Sequence, residues 1–147
     1  MDRYGFEFHA RPLTPCVETN SAPHPYAGAL AGTPILLSRP EITRDWVYVE
    51  DLPALYLEAA ERAESLAGGV FNAGSGRATN LGEVVGDILR LTGSRAAPRW
   101  GAFVAPEHDR HPWVADMTRT FRIFAWRPET SMDQGLAATI RAMREAA

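Results

Sequence analysis

The sequence contains no lysine, so arginine supplies all fifteen of its permanently basic side chains. These arginines are spread along the chain and the net charge is −3, which does not favour a nucleic-acid-binding surface. Cys16 is the single cysteine, which excludes an internal disulfide or a multi-thiolate metal site and is typical of a reducing compartment. No apolar run approaches the ~20 residues that a membrane span needs. We therefore expect a cytoplasmic protein that binds neither nucleic acid nor membrane.

Length and patterning predict one α/β domain behind an irregular start. Apolar residues make up 46% of the 147 residues and charged residues 22%, a balance typical of a globular domain. Residues 1–25 are rich in proline and show no periodic apolar pattern, which predicts an irregular lead-in. Strand and helix patterns alternate in the remainder, residues 26–147, and favour parallel strands.

Individual elements follow from local signals. Residues 46–49 are β-formers and predict a strand. Asp51 and Pro53 predict the start of a helix over residues 52–66. Residues 70–73 are predicted to form a buried strand after it. That helix is expected to bury Leu52, Leu55, Tyr56, Ala59 and Ala63. Further helices are predicted over residues 26–31, from Asn80 to Gly93, over residues 117–126 and after Ser131, with a short strand after Pro34.

The turn Gly74-Ser75-Gly76 lies between a predicted strand and a predicted helix, where backbone N–H groups can receive a phosphate. A dinucleotide fingerprint requires a third glycine three positions after the second, and Thr79 stands there instead. We therefore favour a tight connection or a substrate-edge loop over a cofactor site.

Three segments occur in a distinctive order. They are RDWVYVED at residues 44–51, VFNAGSG at 70–76, and PEHDRHPWVAD at 106–116 followed by FAWRP and MDQGLAATI. Together they resemble the NAD-dependent epimerase/dehydratase family, the extended short-chain dehydrogenase/reductases. Two positions depart from the family pattern, since Glu107 and Ala125 replace its glycines. The resemblance covers about residues 27–147 and implies the C-terminal portion of a Rossmann-type fold, without the N-terminal dinucleotide-binding βαβ units. Residues 26–147 would then be a substrate-binding-type α/β domain.

The resemblance also implies a substrate site. In this family, arginines at the positions of Arg44 and Arg110 reach the diphosphate of a nucleotide-sugar, a role that suits a permanently charged planar fork. Asn72, at the end of its predicted strand, is a further candidate for holding nucleotide or substrate. For the arginines the alternative is a surface ion pair with Asp45 or Asp109, and for Asn72 it is capping of its own turn.

Other functional patterns are weaker. His108 and His111 are separated by three positions, but Pro112 and the lack of clustered carboxylates or further cysteines argue against a metal site. The aromatic residues are predicted to pack in the core or at a hinge rather than to stack on bases, because no basic groove accompanies them. They are Trp46, Tyr48, Trp100, Trp113 and Trp126.

Catalytic residues are missing. The family uses a tyrosine four positions before a lysine to move a proton while NAD(P) carries hydride. Without lysine, and without the glycine fingerprint, this chain is expected to bind no cofactor alone and to be inactive alone.

Three hypotheses stay open at this point. The chain is the nucleotide-sugar-binding part of a sugar epimerase/dehydratase, a non-catalytic nucleotide-sugar-binding or regulatory domain, or a degenerate remnant. The first predicts that the strand over residues 70–73 lacks a neighbour, so that the chain associates with a complementary N-terminal half or with itself.

Overall fold

The computed structural model describes residues 7–9, 25–104 and 107–146. The helices in this part of the chain are α1 (Pro25–Ala31), α2 (Leu52–Glu61), α3 (Ala63–Leu66), α4 (Leu81–Thr92), α5 (Thr118–Ile123) and α6 (Met132–Glu145). The strands are β1 (Glu7–His9), β2 (Ile35–Leu36), β3 (Thr43–Asp45), β4 (Val70–Asn72), β5 (Ala78–Asn80) and β6 (Pro98–Arg99). No helix described is long and apolar enough to cross a membrane.

The strands pair two by two. β1 runs parallel to β4, with Phe8 opposite Phe71, and β2 runs parallel to β6. β3 and β5 are antiparallel, with Arg44 opposite Thr79. The α/β fold is confirmed, but the antiparallel pair of β3 and β5 corrects the expectation of parallel strands. Two further expectations are corrected, because Glu7–His9 is a strand within the predicted irregular lead-in and supplies β4 with a neighbour.

One hydrophobic core, here called the helical core, lies between α1, β2, α4 and α6. Its members are fully or almost fully buried because the apolar stripes of these helices face one another. They include Tyr26, Ile35, Val84, Val85, Ile88, Leu136 and Ile140. Burial raises the pKa of Tyr26 to about 12, an effect that the nearby side chain of Thr139 partly offsets.

A second core, here called the strand core, lies around β4. The rings of Phe71 and Phe124 meet edge to face with centroids 5.0 Å apart, an arrangement that aromatic pairs prefer. The other buried members come from the segment after β3, from α2 and α3, and from the C-terminal third of the chain. They include Val47, Leu52, Leu55, Ala59, Leu66, Met117 and Trp126.

Local capping signals agree with the structure at the two long helices. The Asn80 side chain accepts a hydrogen bond from the Glu83 N–H, and α4 ends at Gly93 with a positive φ of 66°. Ser131 and Gln134 form a reciprocal capping box at the start of α6. The prediction of these helix ends is confirmed.

Other local predictions need correction. The predicted helix over residues 52–66 is interrupted at Arg62, which leaves the helical region with φ −112° and ψ 16°, and Tyr56 is 41% exposed rather than buried. The strand expected over residues 46–49 lies earlier, at Thr43–Asp45, and a 3-10 turn covers Val49–Asp51. The helix expected over residues 117–126 is shorter, because Phe124 already has an extended backbone.

Candidate functional site

The carboxylate of Asp45 joins three segments that are far apart in the sequence. It accepts hydrogen bonds from the backbone N–H of Ser75 at 2.7 Å, of Gly76 at 2.9 Å and of Ala115 at 3.1 Å. The Ser75 hydroxyl donates to it as well, at 2.6 Å. Hydrogen bonds to an ionised acceptor are stronger than neutral ones. Asp45 therefore fixes β3 against the glycine turn and against the segment that contains Ala115.

This junction explains the glycine turn. A Cβ on Gly74 would stand 2.6 Å from an Asp45 carboxylate oxygen and 2.9 Å from the Ala115 Cβ, and Gly76 has a φ of 70°. The backbone N–H groups of the turn do receive an anion, but that anion is the chain's own carboxylate. The preference for a tight connection over a cofactor phosphate site agrees with this geometry.

Arg44 lies on β3, one residue before Asp45. Its guanidinium forms an ion pair with Asp109 and donates to the Thr43 carbonyl at 2.9 Å. The side chains of Arg44 and Asp109 are 16% and 18% exposed, so the pair lies just below the surface. The ion pair with Asp109 that the sequence offered as an alternative role for Arg44 is thus present. It places the guanidinium beside the segment Glu107–Arg110.

Trp113 extends the small sheet on the other side of Arg44. The Trp113 N–H donates to the Thr43 carbonyl at 3.3 Å, and the Asp45 N–H donates to the Trp113 carbonyl at 2.9 Å. These bonds form a parallel bridge between Arg44 and Trp113. The indole is 47% exposed, so Trp113 is not buried in a core, one of the two kinds of packing expected of it. Trp100, 36% exposed, is not buried either.

Asn72 holds two parts of the chain together. Its side-chain amide donates to the Asp116 carbonyl at 2.9 Å, and its own carbonyl accepts from the Thr120 hydroxyl at 2.6 Å. Hydrogen bonds from the side chain of Thr118 and, to a smaller extent, from its backbone N–H lower the pKa of Asp116. Asn72 therefore ties β4 to the start of α5 rather than capping its own turn.

Arg110 closes a 3-10 turn over Glu107–Arg110. Its side chain and that of His108 lie outside the described residues, so the pairing of Arg110 with Arg44 around one ligand stays a prediction. Within the described ranges, no three His, Cys, Asp or Glu side chains come together as metal ligands do.

Polar side chains that sequence reasoning missed hold the FAWRP corner. Glu58 accepts from the backbone N–H groups of Ala125 at 2.8 Å and Trp126 at 3.0 Å. Asp51, predicted as a helix cap, makes no side-chain cap bond and instead accepts from the Thr130 hydroxyl at 2.7 Å and the Thr130 N–H at 3.1 Å. The Trp126 indole donates to the Asp51 carbonyl at 2.6 Å. Asp51 and Glu58 thus hold residues 125–130 against the beginning and the middle of α2.

Comparisons with known proteins agree on one group of enzymes. The chain is 34% identical over 101 residues to a dTDP-glucose 4,6-dehydratase of Streptomyces griseus, a match covering 66% of this chain and 29% of the relative. It is 32% identical over 105 residues to a UDP-glucose 4-epimerase of Mycolicibacterium smegmatis, covering 69% and 31%. The crystal structure of a Thermotoga maritima UDP-glucose 4-epimerase with UDP-glucose matches with a TM-score of 0.77 at 24% identity, covering 96% of this chain and 45% of that one. No protein-family model matches.

The predicted resemblance is confirmed. The chain is similar in sequence to sugar epimerases and dehydratases of the extended short-chain dehydrogenase/reductase group, and its fold matches part of their Rossmann-type fold. It spans 29% and 31% of the lengths of the two curated relatives, which is consistent with the predicted C-terminal portion.

Proposed function

We propose that this chain is the nucleotide-sugar-binding part of an NAD-dependent sugar epimerase or dehydratase. The observation that carries the proposal is the position of Arg44. Its guanidinium lies just below the surface, on a strand that Asp45 bonds to the glycine turn and to the segment containing Ala115. Relatives at 34% and 32% identity are named for dTDP-glucose and UDP-glucose, which both carry a diphosphate.

Binding at Arg44 requires an exchange of anions. The guanidinium that would grip a diphosphate is paired with Asp109 in this structure. A diphosphate offers two charged groups and several acceptor oxygens, so it can replace one carboxylate in a bidentate arrangement. We expect Arg110 to approach the same diphosphate from the neighbouring turn and Asn72 to hold the segment that leads into it.

The reaction itself needs residues that this chain does not contain. With no lysine, it cannot form the tyrosine–lysine pair that the family uses for proton transfer, and the Gly74–Gly76 turn is occupied by Asp45. We propose that NAD(P) binding and proton transfer belong to a complementary dinucleotide-binding half, and that the chain alone binds no dinucleotide.

The surface around the strand core supports such a partner. Leu57 on α2 is 66% exposed, Tyr56 is 41% exposed, and Val70 on β4 is 47% exposed. Exposed apolar side chains on the elements that supply the strand core are what a docking surface for such a partner requires. The non-catalytic binder is the second candidate, and it is favoured if the chain is monomeric and stable without a partner.

A thermal-shift experiment tests the proposal. UDP-glucose or dTDP-glucose should raise the melting temperature of the wild-type chain, whereas NAD should not. Arg44→Ala should abolish the shift because it removes the bidentate donor. Arg90→Ala is the matched control, since Arg90 also pairs with carboxylates but lies on the exposed face of α4. A shift that survives in Arg44→Ala would contradict the proposed site.

A further inference from the structure

The guanidinium of Arg44 is shared between a backbone carbonyl and the carboxylate of Asp109. It donates through Nη1 to the Thr43 carbonyl at 2.9 Å and through Nη2 to the Oδ1 atom of Asp109. Thr43 is the preceding residue of the same strand, whereas Asp109 comes from a turn 65 positions later in the chain. The tertiary fold therefore brings a carboxylate to the group that the proposed diphosphate needs.

The two charged partners are held to different degrees. β3, which carries Arg44, is paired with Thr79 on β5 on one side and with Trp113 on the other. Asp109 lies in the four-residue 3-10 turn Glu107–Arg110, and the hydrogen bonds of such turns have poorer geometry than those of an α-helix. Short irregular segments open at a lower free energy than paired strands do. The carboxylate is thus the partner that can move while the guanidinium stays in place.

The ion pair is partly withdrawn from water, which gives it weight in binding. The side chains of Arg44 and Asp109 are 16% and 18% exposed, whereas those of Arg90 and Asp87 are 53% and 35% exposed. Solvent and salt therefore screen the first pair less than the second. A ligand that uses the same guanidinium must displace the carboxylate first. Its Kd consequently rises in proportion as the fraction of chains with an open guanidinium falls.

We propose that Asp109 is an autoinhibitory anion of the Arg44 site: its carboxylate occupies the guanidinium when no ligand is bound and gives way to the diphosphate of a nucleotide-sugar. The inference rests on the proposed function and adds the regulation of the same site to it. An anion binds at Arg44 only when it interacts more favourably there than one carboxylate does. This favours a diphosphate, which offers two charged groups and several acceptor oxygens, over singly charged anions.

Calorimetric titration with UDP-glucose tests the role of Asp109. Asp109→Asn keeps the size of the side chain and removes its charge, so it should tighten binding by roughly fivefold relative to the wild-type chain. The direction is diagnostic, because damage to the turn would weaken binding. Asp109→Ala removes the carboxylate in a different way and should tighten binding as well. Asp87→Asn is the matched control, since it removes the same charge from another arginine-paired aspartate and should leave the Kd unchanged.

A double variant tests whether the gain in affinity depends on Arg44. In the Arg44→Ala background, Asp109→Asn should bring no gain, because the guanidinium for which the two anions compete is gone. A gain that persists in this background would overturn the inference, and so would an equal gain in Asp87→Asn. In both cases the lost charge would act on the ligand without competing for Arg44.

The outcomes separate the two proposals. Unchanged or weaker binding in both Asp109 variants, with clear binding to the wild-type chain, would overturn the autoinhibitory role and leave the nucleotide-sugar site in place. Absence of UDP-glucose binding to the wild-type chain and to both Asp109 variants would overturn the proposed function, and the role of Asp109 with it.

Discussion

The two hydrophobic cores are closed in different ways. In the helical core, apolar stripes of α1, α4 and α6 face one another, and Tyr26, Ile88 and Leu136 are completely buried. In the strand core, carboxylates such as Glu58 hold loop backbone, and Leu57 and Val70 remain exposed at its margin. The described residues of the helical core are thus closed by packed helices, whereas elements that supply the strand core also carry exposed apolar side chains.

The largest expected effect is in the helical core. Ile88→Ala should lower the free energy of unfolding by about 3 kcal/mol, because it leaves a cavity among packed helices. Val70→Ala, the matched change at the margin of the strand core, should cost less than about 1 kcal/mol. Urea denaturation of both variants measures the difference. Equal losses of unfolding free energy in the two variants would contradict the contrast between the helical core and the exposed residues beside the strand core.

The second largest loss of unfolding free energy is expected at Asp45. Asp45→Ala should lower the free energy of unfolding by about 2 kcal/mol, because the N–H groups of Ser75, Gly76 and Ala115 lose a charged acceptor. Asp87→Ala is the control, since Asp87 forms an exposed pair with Arg90 on α4 and should change stability by less than about 0.5 kcal/mol. Similar losses in the two variants would show that Asp45 does not anchor the site.

Alkaline pH should weaken the helical core through Tyr26. Its pKa is raised from 10.0 to about 12 by burial, so the folded state keeps the phenol neutral where the unfolded state ionises. The stabilisation is complete below pH 10 and is lost as pH rises towards 12. Urea denaturation across this interval should show the decline in the wild-type chain and a smaller decline in Tyr26→Phe. Tyr56→Phe, at an exposed tyrosine, should behave like the wild type.

The smallest effect on stability is expected at Leu57. Leu57→Glu should change the free energy of unfolding by less than about 0.5 kcal/mol, because the side chain is already 66% exposed. It should nevertheless reduce concentration-dependent association in sedimentation velocity, since it places a charge on the apolar face. Val104→Glu adds the same charge at a residue that is 97% exposed and should leave association unchanged. Identical sedimentation of all three proteins would remove the support for a docking face.

Local signals predicted the ends of the two longest helices well and the site only in part. The side chains of Asn80 and Ser131 each accept a hydrogen bond from the backbone N–H three residues later, so both caps can be predicted from the local sequence. Asp51 shows the opposite case. Its short spacing to Pro53 predicted a cap, but the carboxylate bonds to Thr130, 79 positions away. The tertiary fold brings Thr130 to Asp51, and this contact replaces the helix cap that the local sequence predicted.

The motif RDWVYVED illustrates the same limit. The family resemblance identified Arg44 as a candidate for the diphosphate, and the structure places it just below the surface beside Asp109. Nothing in the sequence indicated that Asp45 occupies the glycine turn, because its partners lie 30 and 70 positions away. The exposed position of Trp113 also depends on a long-range pairing, with Arg44.

Calorimetric titration of UDP-glucose into the wild-type chain and Arg44→Ala tests the central claim most directly. We expect saturable binding to the wild type and to Arg90→Ala, and binding to Arg44→Ala that is weaker by roughly tenfold or more, since a charged bidentate contact is lost. Equal affinity in the wild type and Arg44→Ala, or no binding to the wild type, would contradict a nucleotide-sugar site at Arg44.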